Sequence, residues 1–213
     1  MSSGTSLTAE ERRLLTIVPT IMFIVVVLAT LMILLGAPVM RNWSPSGRVA
    51  AASSAPTTHL TLDILPVRPG GPATSWPAYM ATSSTTLPAN ALVTVTIRNF
   101  DLGDDSLPAG SPLLSVQGTT TGNATADGKP FTSLDADHIA HTFTIPQLHL
   151  NVPISGDPVG DANFVTVTFS FRTPAKAGTY TFQCYVPCGT GDNGFNGPMS
   201  ARGFMRGQLT IAA

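Results

Sequence analysis

The chain has 213 residues, 11 Lys+Arg against 12 Asp+Glu, and a formal net charge of −1. Charged residues make up only 11%, against roughly 25% in an average soluble domain, which excludes a disordered polyelectrolyte, a coiled coil and a basic nucleic-acid binder. Two cysteines cannot build a disulfide-dense scaffold or a four-cysteine zinc site, while 19 glycines and 18 prolines speak for many turns and few long helices.

Residues 1–13 form a short N-terminal segment. From Leu14 to Met40 no residue is charged, and at about 1.5 Å per residue such a run crosses the ~30 Å hydrocarbon core of a bilayer. Thr8 and Glu11 have the spacing of a capping box just before it. Pro19 stands near its start, where a membrane helix tolerates proline, and Gly36 and Pro38 mark its end. The apolar core of a cleaved signal peptide is shorter, about 7–15 residues. Ala50, Ala51 and Ala52 offer a small-residue cleavage site, but well beyond the apolar run. The expectation is therefore one uncleaved transmembrane helix over 14–40. Arg12 and Arg13 on one side face Arg41 and Arg48 on the other, so charge alone does not orient it.

Residues 41–57, with Pro45 and an Ala/Ser run, have the composition of a flexible linker. In the domain that follows, 58–213, short apolar runs alternate with period two. Leu60, Leu62 and Ile64 come first, then Val93, Val95 and Ile97, then His141, Phe143 and Ile145. Leu148 to Ile154, Val165 to Phe171, Tyr180 to Cys184 and Leu209 to Ile211 continue the pattern. Seven or so short strands separated by Gly, Pro and Asp clusters predict a mainly β fold, a two-sheet sandwich or Greek-key barrel. The stretch Asn123–Gly128 is expected to be a long loop.

The soft and borderline metal donors of this domain are four histidines, two cysteines and a few methionines. Cys184 and Cys188 flank Tyr185, Val186 and Pro187, so a strand runs directly into a tight loop between two thiols. Thiolate and imidazole together suit copper or zinc. His141 shares its strand face with Phe143 and Ile145, which would hold an imidazole at the edge of a core. His138 lies at an odd spacing from His141, on the opposite face, and is expected at the surface. His149, between Leu148 and Leu150, is expected to be exposed, and His59 has no partner in sequence. Two alternatives stand beside metal binding. The cysteines, four apart, can form a disulfide in an oxidising compartment if their Cα atoms approach within about 7 Å. Met199 and Met205 can be core filler rather than thioether ligands.

The stretch His141-Thr-Phe-Thr-Ile-Pro146, followed by Leu148, Val152 and Gly156, resembles the first copper-ligand strand of cytochrome c oxidase subunit II. Ala177-Gly-Thr-Tyr-Thr-Phe-Gln-Cys-Tyr-Val-Pro-Cys-Gly189 resembles that family's second signature, in which two cysteines four apart precede a glycine. The order of the two signatures and an anchor before them also match. The resemblance covers the anchor and roughly residues 135–211, and 66–130 match only loosely. It implies a cupredoxin-like Greek-key sandwich on the outer side of a cell membrane. It also implies copper held by His141, Cys184 and Cys188, with the Val186 carbonyl in the place of a backbone ligand. The family's next ligands, a His and a Met, fall on Asp192 and Phe195 here, which leaves Met199 or Met205 to supply a thioether.

No catalytic constellation is present. No Glu follows Glu11, and neither a Ser-His-Asp nor a phosphate-loop spacing occurs. The resulting expectation is a membrane-anchored, extracytoplasmic, copper-binding electron-transfer subunit. Its partners would be integral membrane subunits of a respiratory complex, a redox partner protein and lipid around one helix, with no nucleic acid. A metal-free structural or assembly subunit and a Cu(I) carrier are the alternatives.

Overall fold

Period-two sequence becomes strand wherever one face can be buried. The computed structural model describes residues 55–70, 76–103, 105, 107–188 and 197–213. The expected transmembrane helix 14–40, the segment before it, most of the linker, Asp192 and Phe195 lie outside them. Among the described residues no helix is long and apolar enough to cross a membrane.

One sheet has six strands: β1 (Thr57–Leu65), β2 (Ala78–Ala81), β4 (Leu92–Asn99), β5 (Ala124–Ala126), β6 (Lys129–Phe131) and β9 (Val165–Arg172), in the order β2-β1-β4-β9-β5-β6. The other has five: β3 (Thr86–Pro88), β7 (His141–Ile145), β8 (Leu150–Ile154), β10 (Gly178–Gln183) and β11 (Arg206–Ala212), in the order β3-β11-β10-β7-β8. β1 runs parallel to β4 and β3 parallel to β11, and the other pairings are antiparallel. The fold is mainly β, as expected.

The alternation explains the sandwich. In β4, Val93, Val95 and Ile97 are fully buried while Thr94, Thr96 and Arg98 are not. In β9 the same holds for Val165, Val167, Phe169 and Phe171. These faces meet Phe143, Phe182, Leu209 and Ile211 of the second sheet in one core. Burying a side chain such as Phe143, at 0% exposure, stabilises the fold by about 1.5–3 kcal/mol. β7 and β8 are buried on both faces. The long excursion between β4 and β7 leans on them: Gln117 and Asn151 exchange two backbone hydrogen bonds of 2.8 and 3.0 Å. That pairing covers the outer edge of β8, which would otherwise be an open template.

Two local expectations need correction. The stretch 123–128 is not a long loop but part of a β5–β6 hairpin, closed by Asp127 and Gly128 with φ of 48° and 79°. Two positive-φ residues make the tight turn that matches strand twist. Leu148 belongs to no strand: Pro146–Leu148 form a 3-10 turn, ended by His149 at φ 50°. His149 is exposed because it closes this turn, not because it alternates along a strand.

Candidate metal centre

β7 and the end of β10 are neighbours, with Gln183 paired to Thr144. His141 opens β7 and Cys184 directly follows β10, so the ladder brings them to the same end of the second sheet. Cys188 returns through a tight loop in which its amide donates to Val186 O at 2.7 Å. The result is a buried cluster: His141, Cys184 and Cys188 are 1%, 0% and 1% exposed. Cys184 Sγ lies 3.6 Å from Cys188 Sγ and 3.9 Å from His141 Nδ1, and the three donor atoms all lie within 4.8 Å of one another. Both thiols are free.

Electrostatics bind the three groups together. Burial alone would raise the Cys184 pKa, but the thiol of Cys188 and the imidazole of His141 hold it well below the usual thiol value. Burial would likewise lower His141, but Asp101 and the Cys184 thiolate outweigh it and raise the pKa to about 9. Cys188 goes strongly the other way, because it donates its proton to Cys184 and is itself buried. The metal-free site is therefore a thiolate–imidazolium pair with a neutral thiol beside it. Two backbone and side-chain contacts support it: Thr142 N approaches Cys184 Sγ at 3.5 Å, and Tyr185 N donates to Thr142 Oγ1 at 2.9 Å.

The donor set fits a single soft or borderline metal ion. Two donors bound to one ion at about 2.0–2.3 Å can lie no more than about 4.6 Å apart. The 3.6 and 3.9 Å separations from Cys184 meet that limit, and His141 and Cys188 lie within 4.8 Å of each other. Val186 O, the implied backbone ligand, is 3.6 Å from Cys184 Sγ and already accepts from Cys188 N. Met205, just before β11, accepts the Cys184 amide through its backbone carbonyl at 2.9 Å. Met205 and Met199 are buried, at 0% and 5% exposure.

The other histidines stay outside the cluster. His59 and His149 are exposed. His138 is exposed too, with Nδ1 at 2.7 Å from Asp157 Oδ2. Two neighbours of the site were not legible in the sequence. Asp101 Oδ2 lies 3.1 Å from His141 Nε2, and Tyr79 Oη donates to Thr142 O at 2.8 Å. Each reaches the site across 40 or more residues of chain, with no motif around it.

No protein-family model matches the chain, and no curated protein matches it. Among solved structures it is similar to the copper protein rusticyanin. A structure of rusticyanin variants is 18% identical over 75% of this chain and 79% of that one, with a TM-score of 0.34. Rusticyanin from Thiobacillus ferrooxidans is 15% identical over 75% and 79%, with a TM-score of 0.32. A multicopper oxidase from Pediococcus acidilactici is 10% identical over 78% of this chain and 28% of that one, with a TM-score of 0.30.

Proposed function

We propose that this chain is a membrane-anchored, cupredoxin-like copper protein on the extracytoplasmic side, passing single electrons within or to a respiratory oxidase complex. The observation that carries the copper reading is the buried convergence of His141 Nδ1 with the Cys184 and Cys188 sulfurs within 4.8 Å. Bound copper would supply one-electron chemistry there. His141, Cys184 and Cys188 would hold it, with Met205 or Met199 at hand for a thioether. Membrane anchoring and the complex rest on the apolar run 14–40 and on the two sequence signatures.

The surroundings suit electron transfer because they resist movement. Phe143 and Phe182 stack at 5.2 Å, and Tyr79 meets Phe182 edge-on at 5.3 Å. Ligands set on packed strands keep their positions between redox states, which lowers the reorganisation that accompanies each electron. A Cu(I) carrier is the second reading, favoured by two sulfurs sharing the cluster with one imidazole, since soft donors prefer Cu(I).

The test uses the full-length chain in detergent, copper-loaded, with Cys184→Ser and His141→Ala beside it. Stoichiometric copper, a visible thiolate band and a Cu(II) EPR signal, lost in both variants, support the electron-transfer reading. Bound copper that stays colourless and EPR-silent under air supports the carrier. No copper uptake by the reduced chain overturns both and leaves a metal-free scaffold subunit.

A further inference from the structure

The imidazole of His141 is engaged on both sides. Nδ1 faces Cys184 Sγ at 3.9 Å, and Nε2 faces Asp101 Oδ2 at 3.1 Å. Nε2 is fully enclosed, and the carboxylate meets it at ion-pair distance without an aligned hydrogen bond. The side chain of Asp101 is 29% exposed, against 2% for His141. The carboxylate therefore stands between the ring and solvent.

The segment that carries Asp101 is fixed by its neighbours. Phe100 N donates to Ile64 O at 2.8 Å, continuing the β1–β4 pairing past the end of β4. Asp101 N donates to Asn99 Oδ1 at 3.1 Å, and fully buried Asn99 donates through Nδ2 to Ser155 O at 3.1 Å. Ser155 follows β8, whose Ile154 is the register partner of His141. Two residues beyond Asp101, Gly103 lies against Gly156 so closely that a Cβ on Gly156 would meet Gly103 O at 2.5 Å. One amide side chain and one glycine contact thus tie the Asp101 loop to the strand beside His141.

A histidine ligand has two nitrogens, and the partner of the outer one decides which nitrogen is free for a metal. Reading the cluster as a copper centre, we propose that Asp101 is the positioning residue of His141. It engages the Nε2 side of the ring, fixes the ring's rotation and leaves Nδ1 directed at the two sulfurs. The Asn99–Ser155 link and the Gly156–Gly103 contact hold Asp101 in that position.

Two readouts on the full-length chain in detergent test this. The first needs no metal: ring-nitrogen NMR of isotope-labelled His141, in the reduced metal-free chain. The wild-type spectrum should show an Nε2–H proton shifted by the carboxylate, and Asp101→Ala should abolish that signature. The second is Cu(I) affinity by chelator competition. Asp101→Ala should weaken it about 10- to 100-fold, the range for loss of an outer-shell partner, and Asp101→Asn, which keeps an acceptor oxygen, should lose less. Gly156→Ala retains both residues but pushes away the loop that carries Asp101, and should weaken affinity like Asp101→Ala. An unchanged His141 signature with an affinity within about threefold of wild type in Asp101→Ala overturns the role of Asp101 and leaves the copper centre standing. Failure of the wild-type chain to bind copper overturns the copper centre, and the positioning of a ligand with it.

Discussion

Cys188 donates its thiol proton to Cys184 Sγ across 3.6 Å. The opposed pKa directions of the two cysteines follow from this and from His141 on the other side of Cys184. Near neutral pH the metal-free site holds two protons that a metal must displace, one on Cys188 and one on the His141 imidazolium. Metal uptake should therefore release about two protons per ion, and apparent affinity should rise about a hundredfold per pH unit below pH 9. Calorimetry of metal binding in buffers of different ionisation enthalpy counts them directly. Cys188→Ser should bring the count to about one. Release of no protons by the wild-type chain would rule out the charge arrangement described above.

The same pair sets how the metal-free fold responds to pH. His141 has a raised pKa, so its contribution is fully present below its ordinary value near 6.5 and is lost as pH rises through about 9. Cys184 has a depressed pKa, so its contribution is fully present above its ordinary value near 9 and is lost as pH falls towards its folded value. Between about 6.5 and 9 one falls as the other rises, because forming thiolate–imidazolium from thiol and imidazole moves no net proton. This pair should therefore leave stability level across that window and lower it as the pH drops below about 6.5. Urea unfolding of the reduced, metal-free chain from pH 5 to 9 measures this. Cys184→Ser removes the depressed thiol and, with it, the thiolate that helps raise His141 against its burial, so its pH profile should depart from that of the wild type. Identical profiles for the two proteins would count against the pairing.

The large strands and the three clustered donors were legible because each depends on local pattern. Val93 to Ile97 and Val165 to Phe171 alternate over enough residues to fix a buried face, and the spacing of Cys184 and Cys188 marks a loop between two thiols. The short strands β2, β3, β5 and β6 were not recognised, since three or four residues show no usable period. Asp127-Gly128 was nonetheless a direct hairpin signal. Asp101 left no such trace, because its loop is held beside His141 by the buried side chain of Asn99 and the close approach of two glycines. Contacts of that kind exist only once both sheets are assembled.

Tyr79 isolates one buried hydrogen bond near the site. Its hydroxyl donates to Thr142 O at 2.8 Å, while its ring packs edge-on against Phe143 at 6.1 Å and Phe182 at 5.3 Å. Tyr79→Phe keeps the ring and removes the donor, and should cost about 1–2 kcal/mol. Tyr79→Ala also leaves a cavity and should cost about 3–5 kcal/mol. Denaturant unfolding separates the two. Equal costs would mean that the hydroxyl, rather than the ring, carries the packing of this corner.

Gly207 is the register partner of Phe182 in the β10–β11 ladder, and a Cβ added there would run into the Phe182 ring. Alanine in a strand normally gains about 0.5–1 kcal/mol over glycine from reduced chain entropy. Here that gain meets a ring stacked on Phe143 and edge-on to Tyr79. Overpacking a core typically costs about 1–3 kcal/mol, so Gly207→Ala should destabilise by about 1–2 kcal/mol. Phe182 is two residues before Cys184, which directly follows β10, so its displacement should also disturb the thiolate. In the Phe182→Leu background the clash is removed and Gly207→Ala should become neutral or stabilising. That amounts to a coupling of at least about 1 kcal/mol in a double-mutant cycle. Additive effects would show that the ring turns aside freely and that the aromatic stack does not fix the end of β10.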